Sequence, residues 1–125
     1  MQLQIEGIEW MPSPPLVPDD TPIDMGHLSR ATLGQRTLER EVLALFDRQA
    51  ADIVTKLTHR VPESRMLAHT LKGSALGIGA FGVVTAAQQF EAALADGIFI
   101  DDALYALQQA VTEARGAIFG LLRLP

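Results

Sequence analysis

Cysteine is absent from this 125-residue chain. That excludes a disulfide framework, a thiol nucleophile and any thiolate metal site. Three histidines with no cysteine also leave a structural zinc site short of its usual donors. A long apolar run is missing too. The longest, Ala75 to Val84, is ten residues, where a membrane span needs roughly 20. No positive charge precedes an apolar stretch at the start of the chain, so a secretory signal is not expected. Basic excess is likewise lacking. With a net charge of −5, the chain carries no stripe of Lys and Arg of the kind that grips nucleic acid.

What is present is apolar enough for one core. Hydrophobic residues make up 48% of the chain, sufficient for a single domain without metal or disulfide staples. The charge is unevenly placed. Residues 1–22 hold Glu6, Glu9, Asp19 and Asp20 and no basic residue, while the rest is close to neutral. Residues 30–72 carry eight basic side chains against five acidic ones. This excess fits a locally positive surface for an acidic protein partner; a mixed solvated face is the plainer reading of the same charges.

Residues 1–22 read as a flexible acidic and proline-rich tail or linker, because Pro12, Pro14, Pro15, Pro18 and Pro22 lack backbone donors and restrict the residues before them. Met1 to Trp10 alternates weakly, which fits an edge strand or a stretch packed on a neighbour, with disorder the plainer reading. From Ile23 onward the pattern is helical. Asp24 caps a short helix through about Leu33, with Gly34 as its stop. A second helix is expected from about Gln35 to Arg60, with Leu38, Val42, Leu45, Phe46, Gln49, Ile53 and Leu57 as one stripe.

Pro62 fits the first position of a third helix, and Glu63 its positive first turn. That helix should reach Leu76 or Ile78, with Leu67, Thr70, Leu71, Ser74 and Ile78 on one side. A fourth should span about Ala80 to Ala95 and bury Val83, Ala87, Phe90 and Leu94, ending at Asp96-Gly97. A fifth should run from near Asp101 to about Phe119, burying Leu104, Leu107, Val111 and Ile118. The expected fold is all-α: an antiparallel four-helix bundle with a short N-terminal cap helix, over residues 23–120, followed by a C-terminal tail at 121–125.

The other side of the third helix carries Arg65, His69, Lys72, Gly73 and Leu76, because positions three and four apart share a face. An unprotonated imidazole nitrogen can attack phosphorus. Lys72, one turn on, is within reach of a phosphoryl oxygen and would offset its charge. Glycine inside a helix costs roughly 1 kcal/mol relative to alanine, so Gly73 on this face asks for a reason, and clearance for a docking partner is one. Taken singly, each has a bland explanation: a surface histidine, a solvated lysine, a glycine for close packing. His27 and His59 have no such Lys-Gly neighbours and are read as background. Gly73, Gly77 and Gly79 do not make a phosphate loop, since no Gly-Lys-Ser/Thr ending follows. A kinase would need nucleotide- and metal-binding sets that are not seen here.

Ala68-His69-Thr70-Leu71-Lys72-Gly73-Ser74-Ala75 resembles the phosphoacceptor motif of histidine phosphotransfer (HPt) domains, the relays of two-component signalling. Ile23-Asp24 with Leu28, then Phe46, Gly79-Ala80 and Phe90-Glu91 follow in the order of that family, so the resemblance covers about residues 23–118. It departs at Phe90, where leucine is commoner. The resemblance implies that His69 is the phosphorylated residue, Lys72 the cation beside the phosphoryl group, and Glu91 a group orienting the imidazole. Arg65, Gly73 and Leu76 would then meet the partner. Its partners would be response-regulator receiver domains, a hybrid histidine kinase being one source of them, with no nucleic acid or membrane involved. No cofactor of its own is implied, and magnesium is expected on the receiver. Such a protein is a monomeric cytoplasmic phosphocarrier that relays between receiver aspartates, and not an autonomous kinase. The competing reading is a helical adaptor that binds or sequesters receivers without accepting phosphate.

Overall fold

In the computed structural model the described residues are 21–124, so the expectations for residues 1–20 and for the terminal proline lie outside them. Five helices follow one another: α1 (Met25–Ala31), α2 (Arg36–Thr58), α3 (Ser64–Ile78), α4 (Phe81–Asp96) and α5 (Ile100–Leu122). No strand occurs among the described residues. Helix α2 packs on α3, α3 on α4, α4 on α5 and α5 back on α2, while α1 packs on α3. The architecture is therefore a helical bundle. No helix is long and apolar enough to cross a membrane among the described residues.

Local chemistry accounts for most of the boundaries. The Asp24 carboxylate accepts from the His27 backbone N–H at 3.0 Å and so satisfies one of the free donors that start α1. Helix α1 stops at Ala31, two residues before the expected end, because the Thr32 hydroxyl bonds back to the Leu28 carbonyl at 2.9 Å and the chain turns through Leu33 and Gly34. Gly97 closes α4 in the left-handed conformation, as its Asp-Gly signal implied.

Pro62 departs from expectation. It lies ahead of the helix, in a turn where both the N–H and the hydroxyl of Ser64 donate to the Val61 carbonyl, at 3.0 and 2.7 Å. Glu63 thereby becomes the cap residue rather than a member of the first turn.

The core of α2 is Leu43, Phe46, Ala50, Ile53 and Leu57. Leu38 and Leu45, expected in the stripe, face outward instead, and Leu45 is 57% exposed. The true seam runs through Ala50, a residue that adds little to an apolar pattern yet permits close helix approach. Helix α3 repeats this behaviour. Ala68, Leu71, Ala75 and Ile78 are buried with Ser64, whereas Thr70 is exposed and Leu67 and Ser74 only half-buried. Val83, Ala87 and Phe90 are buried in α4 as expected, with Leu94 half-buried, and α5 buries Leu104, Leu107, Val111 and Ile118.

Helix α5 continues past Phe119 through Leu122, so Leu121 and Leu122 belong to the helix and not to a tail. The cause is distant in sequence. The Arg40 guanidinium donates to the Leu122 carbonyl at 2.6 Å and to the Leu124 carbonyl at 3.2 Å, satisfying acceptors at the helix end.

Gly79 locks α1 to the α3–α4 turn. It ends α3 with φ of 80°, and the following Ala80 N–H reaches back to the Ala75 carbonyl at 2.9 Å. Its own carbonyl accepts from the Asp24 N–H at 2.9 Å. A Cβ at this position would lie 2.9 Å from the Asp24 carbonyl oxygen and 3.2 Å from the His27 Cβ. Gly79→Ala should therefore lower stability by about 1–3 kcal/mol through combined strain and clash. Chemical unfolding checks this, and a midpoint equal to wild type would contradict it.

Candidate functional site

His69 occupies the middle of α3, on the side away from Ala68 and Leu71, both of which are fully buried. Its side chain is 69% exposed. Lys72 lies one turn further along and is 25% exposed, and Glu91 reaches them from α4 with 19% exposure. The packing of α3 against α4 is thus what assembles the three groups.

Glu91 contacts both α3 side chains. Its Oε1 lies 3.3 Å from the His69 Nδ1, and its Oε2 lies 3.1 Å from the Lys72 Nζ. The first is a long hydrogen bond. A carboxylate can only accept, so the contact selects the ring form with the proton on Nδ1. The Nε2 atom then carries the lone pair. It meets no hydrogen-bonding partner among the described residues.

The second contact is ionic in character. Glu91 Oε2 is screened from solvent and makes no hydrogen bond, so the Lys72 ammonium offsets its charge without satisfying it directionally. In this resting arrangement Lys72 is engaged by Glu91 rather than standing free for a ligand.

The other expected contacts share the His69 side of α3. Arg65 is exposed one turn before His69 and forms no ion pair or hydrogen bond with any described residue. Gly73 is exposed and helical, and a Cβ placed there would meet nothing within 4 Å. Leu76 is 50% exposed. His69, Arg65, Lys72, Gly73, Leu76 and Glu91 are therefore brought to one surface.

The remaining histidines lie elsewhere. The His27 ring stands edge-on to the Phe81 ring, with centroids 5.2 Å apart. The His59 Nδ1 pairs with the Thr55 carbonyl at 2.8 Å, at the end of α2. No three His, Asp or Glu residues gather as metal ligands among the described residues.

Comparison with protein-family models, curated proteins and solved structures finds no match to this chain. One exposed imidazole, held at one nitrogen by a carboxylate and open at the other, can act chemically as a nucleophile through the open nitrogen. Glu91 stands where it would also stabilise positive charge developing on the ring, as the carboxylate of a catalytic triad does.

Glu91→Ala should release the ring while leaving the bundle folded. Nitrogen-15 NMR of the neutral imidazole is the check: the Nδ1–H form should dominate in wild type, and the Nε2–H form should gain population in the variant. A wild-type ring already dominated by Nε2–H would contradict the assigned role.

Proposed function

We propose that this chain is a histidine phosphocarrier, accepting a phosphoryl group on His69 from a receiver-domain aspartate and returning it to another. The observation that carries this reading is the exposed His69 ring, fixed through Nδ1 by Glu91 and open at Nε2. Its motif and helix order resemble those of HPt domains. The closed ring of contacts through α2, α3, α4 and α5, with short connections, supports an antiparallel four-helix bundle capped by α1.

In the proposed step the Nε2 lone pair attacks phosphorus in line with the aspartyl oxygen. An N–P bond forms, the P–O bond breaks, and the carboxylate leaves with the electron pair. The ring, still protonated at Nδ1, becomes a phospho-imidazolium whose positive charge faces Glu91. Transfer to a second aspartate reverses these events. A magnesium ion held by the receiver would supply charge neutralisation at the phosphoryl oxygens, while His69 and Lys72 position the group, consistent with catalysis by positioning and electrostatics.

Lys72 acquires two partners in this account. It holds Glu91 at rest and turns to a phosphoryl oxygen when one arrives. Arg65, Gly73 and Leu76 form the receiver-facing surface. Gly73 has open space where a Cβ would lie, so no neighbour within the chain demands a glycine there. The partner supplies that demand. A monomer working in the cytoplasm, where receivers are found, suits this role.

Incubation with phosphorylated receiver domains tests the proposal. Acid-labile phosphate should appear on the wild-type chain and not on His69→Gln, whose stability should stay within about 0.5 kcal/mol of wild type because the ring is exposed. Phosphate accepted at the normal rate by His69→Gln would refute the assignment. Tight receiver binding without label would favour the adaptor.

Gly73 gives an independent expectation. Gly73→Ala should raise stability by up to about 1 kcal/mol, since the site is helical and open. Gly73→Leu should fold but bind receivers more weakly and transfer far more slowly, because reacting atoms must approach to about 3–3.5 Å. Thermal unfolding and transfer rates of the two variants check this. Normal transfer by a stable Gly73→Leu protein would remove the clearance role.

A further inference from the structure

Helices α4 and α5 leave a groove between them where the chain turns from one to the other. Ala93 lines it from α4, Ala103 and Ala106 line it from α5, and it holds about 350 Å³. Alanine at all three positions keeps open a space that larger side chains would fill. Ile98 and Phe99, in the connecting turn, line the same groove.

Two choices at this groove work against the free chain. Phe99 opens α5 with φ of 56°, the left-handed region where a bulky side chain is strained, and it supplies no side-chain cap to the helix. Asp96 is the last residue of α4, at the negative end of the helix, where a carboxylate is unfavourable. The turn also leaves two consecutive large apolar side chains in water, Ile98 at 56% and Phe99 at 74% exposure. Departures of this kind gather where a surface is put to use.

The charge at the groove has one sign. Asp96 and Asp102 are the only charged side chains that line it. Neither forms an ion pair or hydrogen bond with a described residue. Asp101 is different, since Arg60 already engages it. Apolar surface between two unpaired carboxylates is complementary to a segment with apolar side chains facing in and Lys or Arg along its edges. A trough between two helices, floored by alanine, suits such a segment in helical form. An acidic segment would be repelled.

We infer that the α4–α5 groove docks a basic amphipathic helix of a partner protein, with an apolar anchor against Ile98 and Phe99 and cations at Asp96 and Asp102. Ala93 stands two positions from Glu91, which puts it on the opposite side of α4. The groove therefore lies away from His69, and the docking is independent of the phosphoacceptor role proposed above.

The probe is a synthetic amphipathic peptide of leucine and lysine in helical order, with a peptide carrying glutamate for lysine as its control. Titrated into the nitrogen-15-labelled full chain, the lysine peptide should move the amide signals of Ala93, Phe99, Ala103 and Ala106. Those of His69 and Gly73 should stay in place, and the glutamate peptide should move none. Phe99→Gly should weaken binding at least about tenfold, as loss of an anchor residue's contact does. Asp96→Lys should weaken it at least about threefold. Both variants should unfold at a temperature no lower than wild type, because each removes a local cost.

No binding of the lysine peptide, shifts centred on another face, or equal binding of the two peptides would overturn the site. So would wild-type affinity in either variant. A lowered unfolding temperature in either variant would assign that residue to holding the fold, and would overturn the inference as well.

Discussion

A carboxylate drawn partly out of water must be compensated, and at Glu91 the compensation comes from a neighbouring helix. Its side chain is 19% exposed, with His69 on one oxygen and Lys72 on the other. Removing Lys72 would leave the half-buried Glu91 carboxylate without its cation, which makes the arrangement more than three surface residues in proximity. The contact also couples fold to chemistry. As a hydrogen bond it requires the proton on Nδ1 of His69, and it forms only while α3 and α4 keep their spacing.

Small residues make up part of the buried faces of both helices. Ala68 and Ala75 in α3, with Ala86 and Ala87 in α4, are buried at 6% exposure or less. Phe90, wholly buried beside Glu91 in sequence, anchors the same turn of α4 in the core. The Gly79 turn then sets where α4 begins, and its bond to Asp24 sets where the N-terminal segment departs. A packed interior thus presents the open Nε2 of His69 at the surface, on the side of α3 that also carries Arg65 and Lys72.

Helical periodicity was enough to put Arg65, His69, Lys72, Gly73 and Leu76 on one side of α3, because spacings of three and four close on themselves around a helix. Glu91 was different. Its position opposite His69 followed from the family resemblance, since spacing within one helix says nothing about which residue of another will face it. The alanine seams of α2 and α3 were hidden because alanine contributes weakly to an apolar pattern, so larger residues such as Leu38 and Leu45 drew the stripe toward the wrong side. The extension of α5 was equally hidden. It depends on Arg40, more than eighty positions earlier. The engagement of Lys72 by Glu91 at rest could not be read from sequence either, since a lysine stem reaches several partners and only packing selects one.

In the proposed transfer His69 reacts through Nε2 because Glu91 occupies Nδ1. Long-range 1H–15N NMR of the chain after reaction with a phosphorylated receiver tests it most directly, since coupling to phosphorus identifies the nitrogen that carries the group. A single phosphohistidine is expected, at His69 and on Nε2. Phosphate on Nδ1 of His69, or on His27 or His59 instead, would contradict it.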